Sequence, residues 1–449
     1  MNPRATIALL VVTLLVVGAL FYLRRHAEPT RDAVERERYA AVFEPEEITG
    51  IDIVRGAETV SLRRTATGWR LAAPVEDRAS PELVDRLLMT LRFLEVRDRE
   101  KIDPAAVPES GLSAPRVRID LRTDQGADWR FDLGADAVVP GQIFARVGGE
   151  RMLLRVPDTA LEPASAPTDK FRDPRLTDLV AGDIEKFTVR RADGEMTVRR
   201  ERGRWMVDKP VQAPADPRAV DGFLEGLLGL RIESFPADGT ATAANPGDRA
   251  GISLTPRGGG EDLELQVTRP ADAQAATTAA LFRPRGGAVT VDAAADVLFA
   301  VTPEALRDKS LGQVDPDTVD RIQINTAGRE IVFRREADHW QSDHGGKATA
   351  EEMDALIDTF NKTRIVSFRT ADTETGLEDE PAGSVRFFSW LSENTAEEPA
   401  GGNLLAGVEF GASTGEGEVF ARAGGSREIV TIPAELPESV KQMAEPASR

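Results

Sequence analysis

The positions of apolar and polar residues divide most of the chain into three similar stretches. Each stretch opens with alternating apolar and polar residues, as in the segments ITGIDIVR, IEKFTVRR and VDRIQINT. Such alternation predicts half-buried strands, and the short polar turns that follow predict hairpins. Each stretch is therefore expected to begin with an antiparallel strand pair.

A helix is predicted after each strand pair. Its start is marked by Ser80-Pro81, by Asp216-Pro217, and by Thr349 with Glu352 three residues later. The first two are an N-cap followed by proline, and the third is a capping box. Apolar residues then recur at helical spacing, at Leu83, Leu87, Leu88 and Leu91, at Val220, Phe223, Leu224, Leu227 and Leu228, and at Met353, Leu356, Ile357 and Phe360.

Landmark residues recur at a nearly constant interval. Trp69, Trp205 and Trp340 are 136 and 135 residues apart, and the phenylalanines of FARVGG, FRPRGG and FARAGG are each 138 apart. A fixed period of this kind indicates tandem structural repeats. We predict repeat units at 44–182, 183–315 and 316–449. Each has an α+β fold of β-β-α followed by several strands, in which one amphipathic helix covers a largely antiparallel sheet.

The first residues differ from the repeats. The segment from Ala5 to Leu23 contains 19 residues without a charge, which is about 28 Å of helix and close to the thickness of a bilayer core. A buried core helix is the weaker interpretation of so apolar a run. We therefore predict an uncleaved membrane anchor over 1–23 and a charged stalk over 24–43. The protein would be a single-pass inner-membrane protein with a cytoplasmic N-terminus and a periplasmic body.

Charge and composition narrow the function classes. The 449 residues contain 56 basic and 75 acidic side chains, a net charge of −19. So acidic a protein would repel phosphate backbones, which excludes nucleic acid as an expected partner. The absence of cysteine excludes disulfides, thiolate zinc sites and cysteine nucleophiles.

The three repeated tryptophans admit two interpretations. A large aromatic residue at the end of the second strand, just before the helix, is expected to pack on the apolar stripe of that helix. A three-fold platform for a ligand such as a sugar is the alternative, but no polar cluster is evident beside the tryptophans. We predict that Trp69, Trp205 and Trp340 are core residues.

Catalytic or metal-binding residues are hard to find. His339 and His344 lie five residues apart with Asp343 between them, which are possible metal ligands. The other two units have Gly68 and Arg204 at the position of His339, so a metal site is the weaker interpretation. No nucleophile elbow, P-loop or dinucleotide motif appears. We predict no catalytic, metal or cofactor site, although scattered carboxylates leave a hydrolase open.

The third unit is the most acidic. Residues 320–449 hold 13 basic and 24 acidic side chains. An excess of carboxylates can dock a basic protein partner, and a polar cap on the end of a repeat array is an equally good interpretation. The residues predicted for docking are Asp372, Glu374, Glu378, Asp379 and Glu380.

Several sequence segments, taken together, resemble those of a known bacterial envelope family. The segments FEPEEITGIDI, GWRLAAP, GLSAP and IFARVGG are similar to those of the domain of unknown function numbered 4340. The resemblance implies a single-pass anchored protein that is accessory to an ABC-type transporter, with a protein partner in the membrane or envelope. It supplies no catalytic residues. The alternative function is a cell-envelope glycan-binding module or hydrolase.

Overall fold

A computed structural model describes most of the chain after the predicted anchor. The described residues are 37–101, 108–124, 126, 128–149, 152–235, 249–268, 277–283, 285, 288–326, 328–337, 339–369, 375–378, 381–389 and 403–445. The predicted anchor over 1–23 and most of the predicted stalk lie outside them. In the described part, no helix is both long and apolar enough to cross a membrane.

The first repeat forms a nine-stranded antiparallel sheet. Its strand order is β4-β3-β2-β1-β6-β7-β8-β9-β5. Helix α1 (Pro81–Arg92) follows β4, and the short helix α2 (Leu161–Ala164) follows β9. The strands are β1 Ile48–Arg55, β2 Glu58–Thr65, β3 Gly68–Ala73, β4 Asp77–Arg78, β5 Asp98–Glu100, β6 Val117–Thr123, β7 Asp128–Asp136, β8 Gln142–Val147 and β9 Leu153–Pro157.

The second repeat has a sheet with the same connectivity, β13-β12-β11-β10-β15-β16-β17-β18-β14. Its helices are α3 (Pro217–Leu228), α4 (Val297–Ala300) and α5 (Pro303–Leu306). The strands are β10 Ile184–Arg191, β11 Gly194–Glu201, β12 Arg204–Lys209, β13 Ala213–Pro214, β14 Ile232–Ser234, β15 Arg249–Pro256, β16 Leu263–Thr268, β17 Thr277–Arg283 and β18 Ala288–Asp292.

The third repeat again follows this order, β22-β21-β20-β19-β24-β25-β26-β27-β23. Helix α6 (Ala350–Lys362) corresponds to α1 and α3, and α7 (Glu435–Ala444) packs against α6. The strands are β19 Arg321–Thr326, β20 Arg329–Arg335, β21 His339–Ser342, β22 Lys347–Thr349, β23 Ser367–Arg369, β24 Gly383–Ser389, β25 Asn403–Ser413, β26 Glu418–Ala423 and β27 Ile429–Pro433. The α+β class and the three-fold repetition are confirmed, but the predicted β-β-α order is wrong, since four strands rather than two precede the main helix of each repeat.

The helices start and pack much as their patterns predict. The Ser80 hydroxyl accepts a hydrogen bond from the Leu83 amide, and Thr349 and Glu352 form the predicted capping box. The predicted stripes of α3 and α6 are buried apart from Leu228 at the end of α3. In α1 the pattern was wrong at one position, since Val84 is fully buried and Leu83 only partly.

The chain divides into two compact units that do not coincide with the repeats. The first unit takes its residues from Met1–Asp178, Leu228–Ala243 and Pro270–Ala293, and the second from Leu179–Leu227, Ala244–Arg269 and Ala294–Arg449. The last strands of the second repeat therefore belong to the same compact unit as the first repeat.

The end of the predicted stalk packs against the first repeat. Ala41 and Phe43 are buried in its core. The Val96 amide donates to the Arg38 carbonyl at 3.0 Å, and Tyr39 forms an antiparallel bridge with Glu95. Residues 37–43 are thus held by both apolar burial and backbone pairing.

Candidate functional site

The repeated tryptophans are core residues. Trp69, Trp205 and Trp340 are 8%, 3% and 1% exposed. Trp205 lies edge-on to Phe187, with ring centres 6.1 Å apart, and Phe187 in turn contacts Phe223 of α3. The core prediction is therefore confirmed, and these three rings do not form an accessible ligand platform.

A polar residue does recur beside each tryptophan, and sequence reasoning missed it. The guanidinium carbons of Arg64, Arg200 and Arg335 lie 4.9, 4.2 and 4.9 Å from the centres of the tryptophan rings. Each arginine also donates to a backbone carbonyl near the start of its repeat, that of Pro45, Ile184 or Pro316. Each stands five residues before its tryptophan, a fixed spacing that could have revealed it. The arrangement is a cation–π contact that holds the start of each repeat against its tryptophan.

The junction between the first two repeats is an extended segment paired on both sides. On one side, the Ser80 amide donates to the Phe171 carbonyl at 2.8 Å, and the Asp173 amide donates to the Arg78 carbonyl at 2.9 Å. On the other side, the Ile232 amide donates to the Pro174 carbonyl at 2.7 Å. The segment therefore adds to the edge of the first sheet and then meets the start of β14, all within the first compact unit.

The junction between the second and third repeats has the same pattern of backbone pairing, within the second compact unit. The Asp216 amide donates to the Leu306 carbonyl and the Asp308 amide to the Pro214 carbonyl, both at 2.9 Å. The Ile365 amide donates to the Lys309 carbonyl at 2.8 Å. We call residues 171–174 and 306–309 the linkers.

Each linker also places an arginine on an aromatic ring. The guanidinium carbons of Arg172 and Arg307 lie 3.6 Å from the ring centres of Phe235 and Phe368. The charge partners of the two arginines differ, because Asp77 in the first repeat corresponds to Ala213 in the second. Arg307 pairs instead with Glu428.

Asp77 is the buried acid of the first junction. It is 5% exposed and accepts hydrogen bonds from Arg172 at 2.7 Å and from both Nε and Nη2 of Arg285 at 2.9 Å. Burial alone would raise the pKa of Asp77, but the hydrogen bonds and charges of the two arginines hold that pKa below its usual value. The Asp77 carboxylate is therefore bonded to Arg285, a residue 208 positions away in the sequence.

The face of the first and third sheets that points away from the helix carries an acid between arginines. Asp132 is fully buried and accepts from Arg118 at 2.7 Å and from Arg146 at 2.5 Å. In the third repeat, Glu409 accepts from Arg386 at 3.0 Å and from Arg422 at 2.7 Å. In each repeat, one carboxylate therefore pairs with two arginines and holds neighbouring strands together.

The second repeat lacks this acid and has a hollow on the same face. Strand pairing places Arg190, Gly251 and Gln266 in one row, so that Gln266 corresponds to Asp132 and Gly251 to Arg118. Gly251 has no side chain where the first repeat has Arg118, and it lines a hollow of about 510 Å³. Its rim carries Arg190, Arg191, Arg249 and Glu264. We call these residues, with Gly251 and Gln266, the arginine hollow.

The arginines of the arginine hollow differ in what they contact. Arg191 donates to the Val301 and Leu298 carbonyls and pairs with Asp193, so it is a structural residue. Arg190 pairs with Glu195 at 3.1 Å on the exposed surface. Arg249 is exposed and makes no hydrogen bond or ion pair with the described residues. The guanidinium of Arg249 is therefore the group of this rim that can bind a carboxylate or phosphate of a binding partner.

The histidines of the third repeat are held by local contacts. His344 Nε2 lies 3.0 Å from the Glu330 carbonyl oxygen and 3.9 Å from Asp343. His339 Nε2 lies 3.7 Å from Glu336. Among the described residues, the chain gathers no group of three metal-ligating side chains.

Only one of the five predicted docking residues lies within the described part of the chain. Asp372, Glu374, Asp379 and Glu380 are outside it. Glu378 accepts from the Thr375 amide at 3.0 Å and from the Thr375 hydroxyl at 2.8 Å. These hydrogen bonds lower the pKa of Glu378 to about 2. Its carboxylate therefore holds a local turn, and a docking role for the other four residues stays a prediction.

The same turn accounts for the Gly-Leu dipeptides of the first and third repeats, Gly111-Leu112 and Gly376-Leu377. Gly111 and Gly376 have φ values of +67° and +68°, which only glycine adopts readily. The turns lie against Gly134 and Gly411, where a Cβ would overlap the Ser110 or Thr375 carbonyl oxygen. Leu112 and Leu377 are buried beneath them.

Comparison with known proteins agrees with this repeated architecture. No curated protein matches the sequence. A family model described as a domain of unknown function (DUF4340) matches residues 69–251 and 283–378, more than half of the chain. The match spans the tryptophan, the capped helix and the linker of the first two repeats, and much of the third. The chain therefore belongs to the DUF4340 family.

Proposed function

We propose that this protein is a non-enzymatic accessory protein that binds a partner at the membrane. It would be anchored by the apolar segment from Ala5 to Leu23 with its repeats outside the cytoplasm. The resemblance noted in its sequence supports association with an ABC-type transporter complex. In this proposal the three repeats supply a stable body, and one of them supplies the contact surface.

The arginine hollow carries this proposal. In the first and third repeats, Asp132 and Glu409 each hold two arginines in ion pairs. In the second repeat the neutral Gln266 stands at the corresponding position, beside Arg249, whose side chain has no ion-pair partner among the described residues. Folding of the three repeats does not require the second repeat to differ from the other two at this position. The exception is best explained as a binding surface for an acidic group of the partner.

The glycan-binding alternative has lost its main support. It depended on accessible aromatic rings, and Trp69, Trp205 and Trp340 are buried. Trp129 also packs against the core of the first repeat. No observation in the described part of the chain favours this alternative over a protein partner.

Photo-crosslinking in cells tests the proposed surface. A photoreactive residue at Gln266 is expected to form a covalent adduct with a membrane protein, because this position lies in the arginine hollow. A photoreactive residue at Arg204, exposed on the same repeat but outside the hollow, is the matched control. Adducts from Arg204 alone, or equal adducts from both positions, would contradict the proposal.

A further inference from the structure

In the part of the chain that the structure describes, the edge of the third sheet lacks a partner that the other two edges have. Ala79, Ala215 and Ala348 occupy equivalent positions, each one residue before the helix N-cap. Ala79 forms a bridge with Arg172, and Ala215 forms one with Arg307. Among the described residues, Ala348 pairs only with Trp340 inside its own sheet.

A glutamate side chain takes the place of the missing backbone. The amides of Ser80 and Asp216 donate to the linker carbonyls of Phe171 and Leu306. The equivalent amide, that of Thr349, donates instead to Glu352 Oε2 at 2.8 Å. A single side-chain rotation would release this amide, whereas the linkers are fixed by their chain connections. The third edge is thus blocked reversibly.

A groove lies beside this edge. It has a volume of about 250 Å³, and its apolar lining includes Ile331, Phe333, Ala348 and Ala444. In the first two repeats, the linker places a large apolar side chain in the core at this edge. Phe171 is fully buried and Leu306 is 3% exposed. The groove therefore suits one large apolar side chain carried by an extended segment.

The charges beside the groove indicate what would follow that apolar residue. Both linkers continue with arginine and then aspartate, as Arg172-Asp173 and Arg307-Asp308. Asp173 Oδ2 lies 2.7 Å from Arg78 Nη2. Lys347 occupies the position of Arg78 in the third repeat and is exposed. It can therefore pair with an aspartate in the same register.

We propose that this groove binds an extended segment of a partner protein in which a large apolar residue is followed two positions later by an aspartate. The segment would pair with β22 as an added strand, with Glu352 turned away from the Thr349 amide. The groove is a second surface, separate in sequence from the arginine hollow. The inference extends the proposed function and rests on it only for the existence of a protein partner.

The first linker itself supplies the probe. A fluorescent peptide SAPTDKFRDPRL, residues 165–176, is expected to bind the full chain saturably, as measured by anisotropy in detergent. The same peptide with serine in place of Phe171 should not bind. Glu352→Ala should tighten binding by about 2- to 10-fold, because one competing hydrogen bond is removed. Equal binding of the two peptides would contradict the inference.

A charge exchange provides a control that does not depend on folding of a core variant. Lys347→Glu should weaken binding of the native peptide and restore binding of a peptide with lysine in place of Asp173. If Lys347→Glu leaves both affinities unchanged, the groove is not the binding site. If a variant ending at Glu445 binds the peptide and the full chain does not, the groove belongs to the chain's own terminus and the inference is wrong. A negative result with the peptide does not bear on partner binding at the arginine hollow, because the peptide assay involves no membrane partner.

Discussion

Arg172 lies with its guanidinium carbon 3.6 Å from the centre of the Phe235 ring, and the two residues belong to different repeats. Arg307 and Phe368 stand at the same distance one repeat later. A planar cation over an aromatic face is attracted by the electrons of the ring, and this attraction strengthens when both groups are shielded from water. Each linker thus contributes a stacking contact in addition to its backbone pairing.

The stacking contact is expected to contribute measurably to stability. Phe235→Leu keeps apolar volume but removes the ring, so it should lower the free energy of unfolding by about 0.5–2 kcal/mol. Phe235→Ala should cost about 3–5 kcal/mol, because it also leaves a cavity. Urea unfolding measures both variants. A midpoint for Phe235→Leu equal to that of the wild type would show that the ring contributes only its volume.

The buried Asp77 is expected to make stability depend on pH. Its folded-state pKa is lowered, so its stabilising effect is fully present above the unfolded pKa of about 3.9. That effect is lost as pH falls through the lower folded-state pKa. Asp77→Asn should therefore be less stable than the wild type at pH 7, and the difference should shrink below about pH 4.

Thermal unfolding across the acid range measures this difference. Asp178→Asn is a suitable control, since Asp178 pairs with Arg78 and Arg175 but is largely exposed. A difference between Asp77→Asn and the wild type that stays constant from pH 7 to pH 3 would show that the Asp77 charge does not stabilise the junction.

We predict that the acidic residues of the third repeat have two different roles. Neutralising Asp372, Glu374, Asp379 and Glu380 together should slow association with a basic partner at low salt without lowering stability. Glu378→Gln should instead weaken the turn that Thr375 anchors, since the carboxylate accepts both Thr375 donors. Stopped-flow association and urea unfolding distinguish the two effects. Loss of stability in the four-residue variant would contradict the docking role.

The membrane topology can be tested independently of any partner. If residues 1–23 form an uncleaved anchor, a reporter fused after Arg449 should be active outside the cytoplasm, and the mature protein should retain Met1. Mass spectrometry of the purified protein measures the second point. A mature chain that begins near Ala27 would contradict the anchor and indicate a cleaved signal peptide.

Local patterns were sufficient to predict the repeats, helices and buried tryptophans. Strand alternation and the N-caps at Ser80 and Thr349 act over a few residues, so one sequence reveals them. The pairing of Asp77 with Arg285 joins residues 208 positions apart, and no periodic signal marks it. The arginine hollow depends on strand register, because only pairing places Gly251 between Arg190 and Gln266. Register across long loops is not determined by local pattern.

Affinity capture from detergent-solubilised membranes tests the binding function most directly. The full-length chain should retain a membrane-protein partner, and the double variant Arg190→Glu/Arg249→Glu should lose most of it, because the rim of the arginine hollow would become acidic. Arg204→Glu, which makes the same charge change outside the hollow, should capture as much partner as the wild type. Capture that is undiminished by the double variant, or equally reduced by Arg204→Glu, would contradict binding through the arginine hollow.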